Sequence, residues 1–492
     1  MIIAVENSFS RIIYNNSSRH LESSIKSLMR VHADGYENTV KYKTKTYTCT
    51  NCKDKETTEK AKFKCIHCGG SVTYVRHWDG KISYIDRQNK FLTGFLPLII
   101  SYIESHSVEY ELVDNRNNKI EIPDDVVVDL QVWDVRKFMI SDLHIYLKSE
   151  LGGISFPRGI YKAATNAGKN SFMASIALTL RVNTLVIVHR DYLFKQAYEF
   201  FTSVGLEVSR YGSGKKELGS FTIAMVQTMS NRSNDINMIN YLKSVKCLMV
   251  DECHRASAKS YKKIFANTDA YVRLFVSGTP LHEYSDTKNM DIIGQSGVIL
   301  SEVTNKFLID KGYSQKPTVL MYSYDHNPLD SDDYYQQLEK SKYSMEKIQI
   351  IRSIIESNPE KQVLIIVEFI EHGQFIYDQI SDMECIVEFA HGDDEHKSDR
   401  FDRAKSQASN VLISSLIIET GVNIPTFNIG INMFGGKSRT RVKQCIGRLV
   451  RHDGINDDCI WVDFIDKHSK LSEHTSKRET IYEDEGFEII YK

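Results

Sequence analysis

A Gly-Lys pair at positions 168 and 169 lies in a stretch that could bind phosphate, AATNAGKNS at residues 163–171. The phosphate-binding pattern G-x-x-x-x-G-K-[ST] has glycine where this chain has Ala163, and a hydroxyl residue where it has Asn170. The following residues, KNSFMASIALTLR, predict a helix that begins near Lys169. Its N-terminal N–H groups would hold a phosphate that the lysine also reaches. Taken alone, the stretch is equally compatible with a turn that binds nothing.

Two adjacent carboxylates, Asp251 and Glu252, follow the apolar run CLMV at a predicted strand end. Open α/β sheets bind ligands at the carboxyl ends of their strands. Asp251 is a candidate Mg²⁺ ligand, because magnesium prefers hard oxygen donors. Glu252 is a candidate for polarising an attacking water molecule. A charged strand end without chemistry is the alternative interpretation of an isolated Asp-Glu pair.

A third group lies late in the chain, in QCIGRLVR at residues 444–451. On a helix, Gln444, Arg448 and Arg451 share one face, because positions three and four apart are neighbours. Two arginines directed at one point can stabilise the charge on a transferring γ-phosphoryl group. Either arginine alone is also compatible with a solvated basic helix face. A further polar stretch, VSGTP at 276–280, follows another apolar run.

Four of the nine cysteines have the spacing of a metal site, with Cys49, Cys52, Cys65 and Cys68 in the form C-x₂-C-x₁₂-C-x₂-C. Four thiolates on two short turns suit tetrahedral Zn²⁺, and four protein ligands close the site, so the metal would be structural. Reduced unligated thiols and an iron–sulfur cluster are the alternatives. His67, between the second pair, is an outside candidate for a ligand.

The middle and end of the chain alternate short apolar runs with helix-like stretches, which indicates βαβ units and parallel sheets. We predict buried strands in two groups: 184–189, 221–226, 247–252 and 273–278, then 362–367, 410–415 and 428–433. The long interval at about 282–361, with the polar cluster DHNPLDSDD, breaks this rhythm. Two α/β domains with a boundary near residue 300 are therefore expected, and the last segment should form a helix and a short strand.

The first 125 residues differ in composition, being rich in Tyr, Lys and Thr. Residues 1–80 carry 13 Lys and Arg against 8 Asp and Glu, although the whole chain has a net charge of −2. In VKYKTKTYT at 40–48, Lys41, Lys43 and Lys45 fall on one face of a predicted strand. This excess is compatible with contact to a polyanion or with a solvated basic face. No apolar run approaches the ~18 residues of a bilayer span, and the first residues lack a signal-peptide pattern.

Residues 160–455 resemble the motor of superfamily 2 helicases and translocases, which is built from two RecA-like lobes. AATNAGKN resembles motif I, LVIVHRDYLFKQ (185–196) motif Ia, VQTM (226–229) a later motif of the first lobe, and DECH motif II. SGTP resembles motif III, SSLIIETGVNIP (414–425) motif V, and QCIGRLVR motif VI. The resemblance implies that ATP and Mg²⁺ are the cofactors, which favours a nucleotide site at Gly168-Lys169.

Residue roles follow from the same resemblance. It implies catalytic roles for Lys169, Asp251, Glu252, Arg448 and Arg451, magnesium contacts for Asp251 and Asn170, and nucleotide contacts for Thr165, Ala167, Gly168, Lys169, Asn170, Gln444 and Gly421. Asn170 departs from the pattern, but its side-chain carbonyl is still a hard ligand, so function with weakened metal affinity is expected. Upstream, Trp133-Asp134 stands where a Tyr-Gln is usual, with Gln131 nearby, which leaves adenine specificity less secure than phosphate binding.

On both sides of the cysteines, ADGYENTVKY (33–42) and VRHWDGKISYIDRQNKFLTGFLPLI (75–99) resemble the N-terminal domain of UvsW-type phage helicases, as does the C-terminal HSKLSEHTSKRETIYEDEGFEII. That family remodels branched DNA. We expect an α/β protein with a small N-terminal α+β domain at 1–125 that carries a Cys₄ zinc ribbon at 49–68. Lobe 1 would span 126–300, and lobe 2, with a C-terminal extension, 301–492.

The expected function is ATP-driven unwinding or branch migration of forked and junction DNA, with salt-sensitive phosphate contacts. RNA as the substrate stays open. The rivals are a translocase subunit of a restriction-type complex and a zinc-ribbon nucleic-acid-binding protein with a degenerate motor. No membrane contact is expected, and the expected location is the cytoplasm, that of the host if the chain is phage-encoded.

Overall fold

The computed structural model describes residues 1–34, 45–53, 55–58, 64–75, 79–126, 137–164, 167–324, 333–416, 427–447, 449, 459–467 and 469–492. Contacts divide the chain into two compact units. One contains 1–161, 172–189 and 201–301, and the other contains 162–171, 190–200 and 302–492.

The N-terminal region is an α+β domain. Its elements are β1 (Ile2–Val5), β2 (Phe9–Ile13), α1 (Glu22–Leu28), β3 (Arg30–His32), β4 (Lys45–Cys49), β5 (Lys55–Thr58), β6 (Val72–Val75), β7 (Lys81–Ser83), β8 (Lys90–Leu92), α2 (Leu96–Ser105) and β9 (Glu111–Asp114). A four-stranded sheet in the order β8-β2-β1-β9 packs its buried face against the two helices. Two smaller sheets pair β3 with β7 and arrange three strands as β5-β4-β6. Lys45 begins β4, whereas Lys41 and Lys43 of the predicted lysine face lie outside the described residues.

The elements of lobe 1 are α3 (Lys137–Leu147), β10 (Glu150–Leu151), β11 (Ile154–Ser155), β12 (Arg158–Ala163), α4 (Lys169–Leu180), β13 (Thr184–Val188), α5 (Asp191–Ser203), β14 (Ser209–Gly212), β15 (Lys215–Lys216), β16 (Phe221–Met225), α6 (Val226–Ser230), α7 (Ile236–Ser244), β17 (Cys247–Asp251), α8 (Lys259–Ala266), β18 (Val272–Ser277), α9 (Asp286–Ser296) and β19 (Ile299–Val303). The lobe is built on an eight-stranded sheet in the order β15-β14-β16-β13-β17-β18-β12-β19. All residues of the central strands β13, β17 and β18 are buried, as their apolar runs predict.

The elements of lobe 2 are α10 (Asn305–Asp310), β20 (Thr318–Ser323), α11 (Tyr334–Lys342), α12 (Met345–Glu356), β21 (Val363–Val367), α13 (Ile370–Ile380), β22 (Val387–Ala390), α14 (Lys397–Lys405), β23 (Val411–Ser415), β24 (Ile429–Asn432), α15 (Arg439–Ile446), β25 (Ile460–Ile465), α16 (Ser469–Asp484) and β26 (Glu488–Tyr491). The lobe is built on a seven-stranded sheet in the order β22-β23-β21-β24-β25-β20-β26. The two RecA-like parallel sheets confirm the predicted fold class, and α16 with β26 is the predicted closing helix and strand.

The interval at 282–361, which seemed to interrupt the strand pattern, contains two strands, β19 and β20. Neither is buried throughout: β19 lies at the edge of its sheet, and in β20 buried and half-buried residues alternate. A strand that is covered on one face does not need a continuous apolar run. The apolar-run criterion therefore missed both strands.

The N-terminal domain and lobe 1 share a buried polar interface centred on two arginines. Arg158 in β12 and Arg273 in β18 have exposures of 1% and 0%. Arg158 donates to the backbone carbonyls of Asn7 and Gln295, and Arg273 donates to the Ser8 hydroxyl at 2.9 Å. Burial lowers the pKa of Arg273 to about 10. Because buried charged groups are costly unless they are hydrogen-bonded, the Asn7-Ser8 turn is an integral part of this interface.

Within the described part of the chain, none of the helices has both the length and the apolar character needed to cross a bilayer.

Candidate functional site

The ends of two neighbouring strands bring the DECH and SGTP segments together. β17 and β18 pair in parallel with Asp251 opposite Val276, so Glu252 and Ser277 follow at the same edge of the sheet. The Ser277 hydroxyl donates a hydrogen bond to Glu252 Oε2 at 3.1 Å. Strand register, rather than proximity in sequence, therefore builds this polar cluster.

The backbone of Glu252 has an unusual conformation. Its φ and ψ angles of 50° and 52° lie in the left-handed region, which residues with a side chain rarely adopt. Asp251 Oδ1 accepts the Glu252 N–H at 2.9 Å, and a short 3₁₀ turn, Cys253–Arg255, follows. Strained backbone of this kind costs on the order of 1–3 kcal/mol and is concentrated at functional sites. Glu252 follows the last residue of β17, so it lies at the carboxyl edge of the sheet, where open α/β sheets bind ligands.

Ser277 and His254 both contact the Glu252 carboxylate, whose side chain is 19% exposed. His254 Nδ1 lies 3.2 Å from Glu252 Oε2 and 3.3 Å from the Ser277 hydroxyl, so the three groups form a closed triangle with the Ser277–Glu252 hydrogen bond. Both partners stand in motifs quoted from the sequence, but the sequence patterns assigned a role to neither. Ser277 is 25 residues from Glu252, a spacing that carries no local signal for the contact, whereas the pairing of two buried strands explains it.

The AATNAGKN segment connects β12 to α4. Ala163 is the buried last residue of the strand, an extended position that does not need the glycine of the phosphate-loop pattern. Gly168 has a φ of 79°, which does favour glycine, and Lys169 begins the helix as predicted. Asn170 stands in the first turn, and the N–H of the buried Ala167 donates to the Ala164 carbonyl at 3.2 Å. The helix N-terminus expected for phosphate binding is present, whereas Thr165 lies outside the described residues.

In lobe 2, Gln444 lies on α15, which ends at Ile446. Among the described residues, ion pairs hold this helix between Arg441 and Glu368 at 2.8 Å, between Arg439 and Asp484 at 2.6 Å, and between Lys443 and Glu485. The other residues predicted to act from this lobe, Arg448, Arg451 and Gly421, lie outside the described residues. The same is true of Gln131, Trp133 and Asp134 near the expected adenine site.

Arg478 on α16 supports the turn that leads into α15. It is 1% exposed and makes a 2.7 Å ion pair with the equally buried Asp463 of β25. It also donates to the Gly436 carbonyl at 2.9 Å, in a turn where Gly435 and Gly436 have φ angles of 60° and 75°. The C-terminal extension thus fixes the start of the helix that carries Gln444.

The four cysteines predicted to bind metal come together at one end of the three-stranded sheet. The Sγ atoms of Cys49, Cys52, Cys65 and Cys68 all lie within 4.8 Å of one another, and His67 is not part of this group. The Cys49–Cys68 and Cys52–Cys65 pairs are 3.4 and 3.6 Å apart, near the ~3.8 Å that tetrahedral Zn–S bonds of about 2.3 Å require. The pKa of Cys49 is lowered to about 6, chiefly by a backbone hydrogen bond from Cys52, which favours the thiolate that a metal needs.

Comparisons with known proteins match both lobes in order. Residues 135–282 match the family described as Type III restriction enzyme, res subunit, and residues 346–453 match the helicase conserved C-terminal domain. The chain belongs to superfamily 2 of the helicases. The helicase motor of this superfamily implies ATP and Mg²⁺ as cofactors, and the Asp251 carboxylate and the Asn170 amide oxygen are hard donors of the kind that Mg²⁺ accepts.

Viral helicases are among the relatives of this superfamily 2 protein. The ATP-dependent DNA helicase UvsW of Enterobacteria phage T4 is 22% identical over 426 residues, which cover 79% of this chain and 82% of UvsW. A protein named helicase 22, from a Sulfolobus islandicus filamentous virus, is 23% identical over 394 residues, 74% of this chain and 70% of the relative.

Among solved structures, a fragment assigned as the HsdR subunit of a type I restriction enzyme from Vibrio vulnificus superposes with a TM-score of 0.56 at 15% identity. It covers 72% of this helicase and 68% of the fragment. This likeness supports the two-lobe fold.

Proposed function

We propose that this helicase is a DNA-dependent ATPase that unwinds or branch-migrates forked and junction DNA. The observation that carries the ATPase part is the Glu252 carboxylate, held at the carboxyl edge of lobe 1 by Ser277 and His254. A strained acidic residue with two fixed polar neighbours suits a group that must orient and polarise a water molecule.

The residues around this carboxylate divide the work on ATP. The N–H groups at the start of α4, together with Lys169, bind the β- and γ-phosphates. Asp251 and Asn170 would hold Mg²⁺, which would neutralise charge on the phosphate oxygens. Glu252 directs a water molecule at the γ-phosphorus and accepts its proton, while the bond from the γ-phosphorus to the β–γ bridging oxygen breaks and ADP leaves.

We assign further contacts with the nucleotide to residues of motifs V and VI. Arg448 and Arg451 stabilise the charge that develops on the transferring phosphoryl group, because a planar guanidinium can donate two parallel hydrogen bonds to its oxygens. Gln444 and Gly421 contact the nucleotide, as Thr165 and Ala167 do from motif I. The ion pairs of α15 keep Gln444 on a fixed support.

DNA is favoured as the substrate by the homology with UvsW, whose name states an ATP-dependent DNA helicase. The basic excess of residues 1–80 suits contacts with phosphates, which supply sequence-independent affinity. We assign branch recognition to residues 1–125, and structural Zn²⁺ to Cys49, Cys52, Cys65 and Cys68, whose sulfurs have the spacing that this ion needs. A cytoplasmic location, in the host if the chain is phage-encoded, stays a prediction.

The test is ATP turnover by the purified chain with no nucleic acid, single-stranded DNA, a DNA fork, a four-way junction and an RNA duplex, with strand separation measured in parallel. We expect the branched DNAs to stimulate turnover most and to be unwound. Lys169→Ala should lose turnover yet keep DNA binding, because this lysine contacts phosphates of ATP and not DNA. Turnover above about a tenth of wild type in that variant would contradict the phosphate-loop assignment.

A translocase subunit of a restriction-type complex is the second candidate, favoured by the match of residues 135–282 to the restriction res family. In that case the chain should hydrolyse ATP on plain duplex DNA without separating its strands. A third outcome, DNA binding with no ATP hydrolysis under any condition, would indicate a nucleic-acid-binding protein with a degenerate motor.

A further inference from the structure

A histidine beyond the SGTP motif supports the turn that follows Glu252. His282 Nε2 lies 2.8 Å from the backbone carbonyl of His254, within the 3₁₀ turn Cys253–Arg255. Burial lowers the pKa of His282. Its Nε2–H donates to this carbonyl, because a carbonyl oxygen can only accept. His282 therefore restrains the backbone of His254, two residues after the strained Glu252. His254 is also the residue whose ring contacts the Glu252 carboxylate.

His282 is itself fixed to the start of α9. The Asn289 side chain accepts the His282 N–H at 2.6 Å and donates to the His282 carbonyl at 2.8 Å. This paired contact holds the backbone of His282 in one orientation, as a strand partner would. The turn after Glu252 is thus connected to a helix that lies outside the sequence motifs.

The first turn of α9 is held in turn by the N-terminal domain. Ser285 is the N-cap of the helix, because its hydroxyl accepts the Lys288 N–H at 3.3 Å. The same hydroxyl donates to Asp34 Oδ2 at 2.6 Å, and this hydrogen bond lowers the pKa of Asp34. Asp34 belongs to the ADGY segment that precedes the cysteine ribbon, a segment to which the proposed function gives no individual role.

We propose that His282 is a positioning residue for Glu252. Through Ser285, Asp34 of the N-terminal domain is the outer anchor of this support. The domain assigned to branch recognition is then also part of the structure that holds the carboxylate in place for ATP hydrolysis. The inference rests on the proposed role of Glu252 in ATP hydrolysis.

The conformation of Glu252 depends on the contacts that hold the turn after it. A left-handed glutamate is held only while its surroundings outweigh the strain. Loss of the His282–His254 hydrogen bond removes one such restraint, and the carboxylate then spends less time where it can orient water. ATP binding uses a different element, the start of α4, so the rate of turnover should change without a matching change in affinity.

The experiment measures kcat and KM for ATP on the full chain with a saturating DNA fork. In His282→Ala, kcat should fall about ten-fold while KM stays within about two-fold, since one well-placed hydrogen bond is lost. His282→Gln places an amide donor at a similar reach and should restore kcat to within about three-fold of wild type. Thermal unfolding of each variant checks that the fold is retained.

The outer anchor is tested by a double-mutant cycle. Asp34→Ala should lower kcat about two- to three-fold in the wild-type background and leave it unchanged in His282→Ala, because coupled groups are non-additive. Asn267→Ala is the control. It removes a 3.2 Å hydrogen bond to the Ser233 carbonyl within lobe 1, at residues to which no role in ATP or DNA binding is assigned. The control should keep wild-type kcat.

Three results would overturn the inference: wild-type kcat in His282→Ala, a glutamine variant as impaired as the alanine variant, or fully additive effects of Asp34 and His282. Glu252→Gln in the same assay separates the proposed role of Glu252 in hydrolysis from the positioning role of His282. If it retains turnover, the proposed role of Glu252 is wrong. If it is inactive while His282→Ala behaves as wild type, only the positioning role is wrong.

Discussion

The carboxyl edge of lobe 1 and the cysteine ribbon are built on opposite principles. At the edge, β17 and β18 are buried throughout, and their pairing fixes where Glu252 and Ser277 lie. In the ribbon, the buried hydrophobic side chains among those described are Tyr47, Cys49 and Cys65. The first site is held by a large core. The second would depend on the proposed Zn²⁺ bound by its four sulfurs, since so small a core cannot stabilise a fold alone.

The difference indicates how each region should respond to the substitution of its residues. Removing one polar group at the sheet edge leaves the lobe folded and changes the chemistry. If the ribbon binds the proposed Zn²⁺, removing its thiolates should unfold it, because metal binding and folding are coupled in such sites. Substitutions at the sheet edge should therefore lower ATP turnover with every nucleic acid, whereas substitutions in the ribbon should lower only the activities that need the ribbon.

The largest effect is expected from Glu252→Gln. The amide cannot accept a proton from water, so ATP turnover should fall by at least about a hundred-fold while ATP still binds. Turnover with a fork and with single-stranded DNA should fall alike, and nucleotide binding can be followed by equilibrium titration. Glu217→Gln, at an exposed position of lobe 1, is the matched control. Equal turnover in Glu252→Gln would remove this residue from the reaction.

A smaller and selective effect is expected from Cys49→Ser combined with Cys52→Ser. The double variant should lose its zinc and lose about ten-fold in fork and junction unwinding, while ATPase on plain single strands survives. Metal content and both activities are measured on the same preparations, with Cys385→Ser of lobe 2 as the control for loss of a thiol. A zinc-free double variant that unwinds forks like wild type would make the ribbon a stabilising clip.

Ser277→Ala should have an intermediate effect at the sheet edge. It removes the 3.1 Å hydrogen bond to Glu252 without removing the carboxylate, so kcat should fall about five-fold on every DNA tested. The ratio of fork to single-strand ATPase should stay at its wild-type value. A change in that ratio would mean that the sheet edge also reads DNA structure, and the division between the two regions would fail.

The smallest effect is expected from Asn170→Thr, which restores the usual hydroxyl. If Asn170 is a Mg²⁺ ligand, the variant should match wild type at saturating magnesium and exceed it by up to about two-fold at low magnesium. Turnover is measured across a magnesium titration. An inactive threonine variant would show that Asn170 has a role that the phosphate-loop pattern does not describe.

Local patterns were sufficient for much of the architecture. Continuous apolar runs predicted β13, β17, β18 and the central strands of lobe 2, because a strand covered on both faces must be apolar throughout. The same rule missed β12, because its sequence RGIYKA has only two consecutive apolar residues between a glycine and a lysine, and it also missed the one-sided β19 and β20.

The sequence by itself determined the cysteine quartet, the helix start at Lys169, the strand end at Asp251 and the order of the helicase motifs, since each depends on residue types at short spacing. Only the tertiary structure decided the partners of Glu252, its left-handed backbone, and the connection through His282 and Ser285 to Asp34. Asp34 and Ser285 are 251 residues apart in the chain. Contacts at such separations follow from strand order and domain packing, which no local pattern encodes.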